Sequence, residues 1–229
     1  MLTSAEWAIL LLSLKVGLVA VAGALPVAFA LAWLLARARV PGKLLLDALV
    51  HLPLVLPPVV TGWALLLLFA PAGPVGALLE RWWGASVLFR WTGAAIAAGV
   101  MALPLMVRAI RLSLEAVDRQ LEGAARTLGA GRWRTSWTIT LPLCRPGVLA
   151  GVVLGLARSI GEFGATITFV SNVPGETETL PLAIYAALQT PGGEEQVLRL
   201  AAISVALAVA ALVASELLTR RQGGRAHAL

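Results

Sequence analysis

Five stretches of this chain each carry about 20 or more mainly apolar residues, the length that lets a helix cross a bilayer. They lie at about 7–36, 44–69, 91–110, 146–170 and 196–219. A water-soluble fold of 229 residues has too little interior to hide that much apolar surface. Only 13% of residues are charged and the mean hydropathy is +0.87, against about 25% charged in an ordinary soluble domain. The expectation is an all-α, polytopic membrane protein of about five spans.

The charges orient the spans. Arg37, Arg39 and Lys43 follow the first; Arg108 edges the third. Arg111, Arg119, Arg126, Arg132, Arg134 and Arg145 precede the fourth, and Arg220, Arg221 and Arg225 follow the fifth. The opposite side carries chiefly Arg81 and Arg90, with Glu6, Glu80, Glu176, Glu178, Glu194 and Glu195. Lys and Arg accumulate in cytoplasmic loops. That places the N-terminus outside and the C-terminus inside, with a cytoplasmic loop at 112–145 and a basic cytoplasmic tail at 220–229. The net charge of +6 therefore reads as topology, not as a nucleic-acid surface. Trp7, Trp82, Trp83 and Trp91 fall at one expected interface; Trp33, Trp133 and Trp137 fall at the other, as amphipathic rings do.

Glu6 precedes the first apolar run and no basic region does, so a cleavable signal peptide is not expected. Cys144 is the single cysteine, which excludes an intrachain disulfide. His51 and His227 are far apart in sequence, and His227 sits in the polar tail. The chain has no metal-ligand spacing, nucleophile elbow or phosphate-cradling loop. Neither a cofactor, a metal nor an enzymatic activity is expected in it.

Two spans are interrupted. The second contains Pro53, Pro57 and Pro58 within Leu52–Gly62. Each proline removes a backbone donor, and freed carbonyls in lipid cost several kcal/mol unless protein or water satisfies them. A packed kink and a segment facing a wet transport cavity both satisfy that demand. Pro26 and Pro104 are single prolines and read as kinks. The fourth span carries Arg158 and Glu162, four apart and so expected on one helix face. Charges at mid-membrane are costly and mark functional sites by default; a bracing ion pair is the other reading. Pro57, Pro58, Thr61, Arg158, Ser159 and Glu162 form the candidate pore or gate set. The periplasmic loop at 171–195 is expected to hold a short helix at Leu182–Leu188.

Leu112–Leu128 is expected to be one amphipathic helix, with Leu114, Val117, Leu121, Ala125 and Leu128 at helical spacing. Gly129-Ala130-Gly131 ends it. Two placements suit such a helix: on the bilayer surface, or in a groove of a cytoplasmic partner.

Glu122-Gly-Ala-Ala-Arg-Thr-Leu-Gly129, followed by Ile139-Thr-Leu-Pro142, resembles the "EAA" loop of ABC importer permeases. Gly123 stands where that family usually has Ala. The resemblance extends over nearly the whole chain and is closest to the molybdate branch. It rests there on His51–Val60, Leu105–Arg111 and Gly161–Thr177; sulfate permeases share the Gly-Glu-Phe-Gly element. The resemblance implies that Glu122, Gly123, Ala124, Ala125, Arg126, Thr127, Leu128, Gly129, Ala130 and Gly131 form the coupling element that docks on an ATPase subunit. It also implies a second copy of the chain, two ATP-binding subunits that use ATP and Mg, and a periplasmic or extracellular molybdate-binding protein. The setting is the lipid of the inner (cytoplasmic) membrane, and the cargo is molybdate or the chemically similar tungstate. A sulfate or thiosulfate permease is the nearest rival. A non-transporting membrane scaffold is the next, and a membrane enzyme using Glu162 and His51 is the weakest.

Overall fold

The computed structural model describes residues 2–38 and 41–226; Arg39 and His227 lie outside the described residues. Those residues form helices and loops, with no strand among them. Helix α1 (Ser4–Arg37) starts in a capping box: Thr3 accepts from the Glu6 amide, and Glu6 accepts from the Thr3 amide. Two of the four orphan donors of the first turn are so satisfied. The helix runs on through Pro26.

Helix α5 (Trp91–Ala116) is the structural centre. Of its most apolar stretch 67% is buried, against 6% for the last helix. The reason is its stripe of small residues: Ala94, Ala95, Ala97, Ala98 and Ala102 are all buried. Small side chains let helix backbones approach closely, which is how helices pack where lipid removes the hydrophobic drive. A Cβ on Gly99 would come within 3.2 Å of the Ala20 carbonyl on α1. Met106, Val107 and Ile110 fill the next layer against α1 and the later helix α8 (Leu141–Ile160).

The second apolar segment departs from a single kinked span. It is two helices, α2 (Lys43–Val55) and α3 (Pro58–Phe69), bent by 112° at Leu56-Pro57. Pro58 is at the start of α3, where its missing N–H costs nothing, so the proline pair divides the segment. A short amphipathic helix, α4 (Pro74–Trp83), follows. Trp82 and Trp83 on it are exposed, as befits an interface.

Leu112–Leu128 is not one helix. Helix α5 carries on to Ala116, the chain breaks at Val117, and α6 (Arg119–Thr127) starts anew. The apolar spacing misleads because it belongs to two surfaces: Leu114 and Val117 are buried, whereas Leu121 and Leu128 are exposed.

Helix α7 (Arg132–Thr135) passes through a π-helical turn at Ser136–Thr140 into α8 (Leu141–Ile160). Within it the hydroxyls of Thr135, Ser136 and Thr138 each donate to the carbonyl four residues back. Such back-bonding competes with the backbone ladder and bends helices. The fourth span is also shorter at its far end than 146–170: α8 stops at Ile160, and α9 (Gly164–Val170) follows a break. Helices α10 (Leu180–Leu188) and α11 (Glu194–Ala226) complete the chain. Among the described residues four helices are long and apolar enough to cross a membrane, and the bent pair α2–α3 makes a fifth segment.

Candidate functional site: a broken-helix centre and a tethered coupling helix

The broken ends of α3, α8 and α9 meet. A Cβ on Gly62 of α3 would lie 2.5 Å from the Ala165 carbonyl of α9. One on Gly164 would lie 2.7 Å from the Pro58 ring. Only glycine allows the two half-helices this contact. Pro57 supplies the N-cap carbonyl of α3, which accepts from Val60 at 2.9 Å and Thr61 at 3.3 Å. Thr61 is buried and its hydroxyl has no protein partner. Ser159 is buried on α8, its hydroxyl 3.5 Å from the Ala98 carbonyl.

Glu162 lies beyond the end of α8, so it does not share a helix face with Arg158 as the four-residue spacing implies. The pair forms nonetheless, Arg158 Nη1 against Glu162 Oε2, with the carboxylate almost wholly buried and the guanidinium three-quarters so. The other oxygen, Oε1, accepts from the Ala165 amide at 2.8 Å. Glu162 thus joins the last turn of α8 to the first turn of α9. The placement suits both helix dipoles: the cation lies at a C-terminus and the anion at an N-terminus. Phe163, between them, packs on Tyr185 of α10, ring centroids 5.1 Å apart.

Beyond α9, Ser171 holds a φ of 59°, a backbone region that is costly for a residue with a side chain. Buried Thr177 fixes it, donating to the Ser171 carbonyl at 2.8 Å and accepting from Val173 at 2.7 Å. His51 is in α2, its Nδ1 2.8 Å from the Asp47 carbonyl. The Asp47 carboxylate lies 3.3 Å from the same nitrogen and pairs with Arg111 at 2.9 Å.

The second centre lies at the arginine-rich end of the bundle. Asp118 caps α6 by accepting from Gln120 at 2.8 Å. At the other end Gly129, with φ of 85°, takes the left-handed position. Gly129 donates to Arg126 and Ala130 donates to Ala125, each at 3.0 Å, the paired bonds of a Schellman closure. Helix α6 is therefore well formed, yet none of its residues is buried. Leu128 is 89% exposed. Its fixed point is Glu122, whose carboxylate meets Arg37 at 3.0 Å and accepts from Thr140 at 2.7 Å. Thr140 is the last residue of the π turn, so that turn aims a hydroxyl at the helix. Arg37, Arg119, Glu122, Arg126 and Thr140 line a polar cavity of about 270 Å³. Gly123, Ala124, Arg126 and Thr127 are exposed, Gly123 also lining that cavity, while Ala125 and Ala130 are half-buried.

Several of these roles carry no mark in the sequence. Arg37 reads there as one orienting cation among many, and Thr140 as part of an apolar run. Glu6 reads as an outside acid, yet it is buried and paired with Arg199 of α11 at 2.9 Å. Lys15, inside the first span, lies 3.7 Å over the Trp91 ring. Each partner is distant in the chain, and no periodicity couples them.

Comparison with known proteins follows the same lines. Residues 24–223 match the family described as "Binding-protein-dependent transport system inner membrane component". The chain is 58% identical, over 98% of both chains, to the "Molybdenum transport system permease protein ModB" of Escherichia coli (strain K12). It is 55% identical over 92% of both chains to the protein of the same name in Haemophilus influenzae. With the "Sulfate transport system permease protein CysT" of Escherichia coli (strain K12) it shares 41% identity, over 69% of this chain and 57% of that one. Its fold matches a chain of a bacterial ABC transporter "involved in the import of the acidic polysaccharide alginate". That match has a TM-score of 0.70 and 17% identity, and covers 96% of this chain and 80% of the other.

Proposed function

This chain belongs to the family of binding-protein-dependent transport system inner membrane components, and we propose that it forms half of the translocation pore of an ABC importer for molybdate. It is a multi-pass integral membrane protein, which fits its four to five membrane-length segments. The observation that carries the cargo is the degree of the likeness. Identity with the molybdenum permease of Escherichia coli is 58% over 98% of the chain, against 41% over 69% with the sulfate permease of the same organism. Tungstate, of like charge and shape, takes the same path.

In this reading the basic end of the bundle faces the cytoplasm, as the Lys and Arg distribution requires. Two copies of the chain pair with two ATPase subunits and a periplasmic binding protein in the inner membrane. ATP and Mg act on the ATPase subunits. Helix α6 docks there, for it is fully formed while none of its residues is buried and only the Glu122 side chain is drawn into its own chain. A displacement of α6 reaches the bundle by two polar routes from Glu122: through Arg37 to the end of α1, and through Thr140 to α8. At the far end of α8 the Arg158–Glu162 pair hands the motion to α9, which touches α3 at its break. Rocking of stiff half-helices about such breaks is how alternating access works. The path needs only weak anion sites, since tight binding would slow release. Arg158, its charge shared with Glu162, meets that need.

Uptake of radiolabelled molybdate tests the proposal. Cells carrying the chain and its accompanying subunits are expected to accumulate molybdate in the presence of excess sulfate. Uptake abolished by sulfate would transfer the chain to the sulfate branch.

A further inference from the structure

Between α1 and the α7–α8 segment runs a groove of about 1180 Å³, adjoining the cavity beside Glu122. Its walls are apolar: Leu25 and Phe29 on α1 face Val148 and Leu149 on α8. Its mouth is not. Arg132 and Arg145 stand there, both exposed and neither in an ion pair among the described residues. Three indoles, Trp33, Trp133 and Trp137, also line this end, the last two 81% and 66% exposed.

The dimensions decide what fits. On α1 the lining runs from Leu25 to Leu34, about 14 Å at 1.5 Å per residue. One leaflet of hydrocarbon is about 15 Å deep, half of the usual core. The groove is therefore one acyl chain long, apolar along its length, and cationic with indoles at its headgroup end. Basic pockets between membrane helices at that depth hold anionic lipid headgroups. A second copy of this chain would have to present an acidic end there. The exposed ends of α1, α6 and α8 offer mostly cations, so charge complementarity favours lipid.

We propose that this groove binds an anionic phospholipid of the leaflet at the basic end of the bundle, its phosphate between Arg132 and Arg145. Trp33 and Ser136 are shared with the cavity beside Glu122, so the lipid sits one side chain away from the tether of α6. The inference rests on the membrane reading of the chain but not on its cargo, so a failed molybdate uptake test leaves it standing.

The test uses the chain purified with its accompanying subunits in nanodiscs of phosphatidylglycerol or phosphatidylcholine. A diazirine on the acyl chain of each lipid reports occupancy, and mass spectrometry maps the crosslinks. Crosslinks from phosphatidylglycerol are expected on peptides 25–34 and 141–149, with roughly 30-fold preference over phosphatidylcholine for two arginines at the surface. Arg132→Gln with Arg145→Gln is expected to erase the preference. Ala30→Phe, which narrows the groove and leaves the arginines, is expected to lower labelling by both lipids. Equal labelling by the two lipids in the unmodified chain would overturn the proposal. So would a preference that survives loss of both arginines, or crosslinks from the groove to a second copy of the chain.

Discussion

Arg37, the last residue of α1, and Glu122, in the first turn of α6, are 85 positions apart in sequence and joined by two contacts. Arg37 Nη2 lies 3.0 Å from Oε1 and Nη1 donates to Oε2 at 3.2 Å. Both side chains are close to nine-tenths buried. This pair is what holds an otherwise unburied helix to the bundle, and it gives the carboxylate of the loop an internal task.

Removing one partner leaves the other charge buried and unpaired. Glu122→Ala is expected to cost about 1.5–3 kcal/mol of local stability, the range for a charged hydrogen bond. Hydrogen exchange of the α6 amides should then rise while those of α5 stay slow. The exchange Arg37→Glu with Glu122→Arg should restore much of the protection. No rise in exchange for Glu122→Ala would show that the tether is unimportant.

Two glycines of the same loop should respond oppositely to alanine. Gly129 has a φ of 85°, and a Cβ there costs about 1–2 kcal/mol. Gly123 has helical geometry with open space around a built Cβ, so alanine should gain up to about 1 kcal/mol. Thermal unfolding of the purified assembly should fall for Gly129→Ala and hold or rise for Gly123→Ala. A bulky residue at 123 is expected to leave the chain folded and block transport alone, because a Cβ there meets nothing within 4 Å in its own chain.

The Arg158–Glu162 pair joins α8 to α9. Arg158→Ala and Glu162→Gln are each expected to cut molybdate uptake at least tenfold while ATP hydrolysis by the assembly continues, since about 1.4 kcal/mol at the gate suffices for that factor. Wild-type uptake in both variants would reduce the pair to a brace.

Gly62 and Gly164 set the contact between α3 and α9. Gly62→Ala forces a Cβ to within 2.5 Å of a backbone carbonyl, and overpacking of this kind costs about 1–3 kcal/mol. The expected result is a lower unfolding temperature than for Gly23→Ala, where a Cβ meets nothing within 4 Å.

Periodicity and composition reached the spans because lipid imposes length and apolarity on any crossing helix. The glycines and prolines likewise marked where helices end. The same signals failed wherever two surfaces shared one stripe. Leu114 and Leu128 lie in register yet one is buried and the other exposed, so one predicted helix became two. The 112° bend at Pro57 was also beyond reach, because proline chemistry says that a ladder breaks but not by what angle. At the candidate site the residue types were legible and the partners were not. Glu122 stood out, whereas Arg37, 85 positions upstream, and Thr140, at the end of a π turn that periodicity does not mark, did not.

The proposed coupling needs α6 to be the point where the ATPase subunit grips this chain. A Leu128→Cys variant, at a site 89% exposed, tests that when the assembly is treated with a short thiol-reactive crosslinker with and without ATP. The expected result is a crosslink to the ATPase subunit whose yield changes with nucleotide, together with labelling of the thiol from the cytoplasmic side; such coupling admits no other outcome. Labelling from the periplasmic side alone, or no crosslink in either nucleotide state, would contradict it.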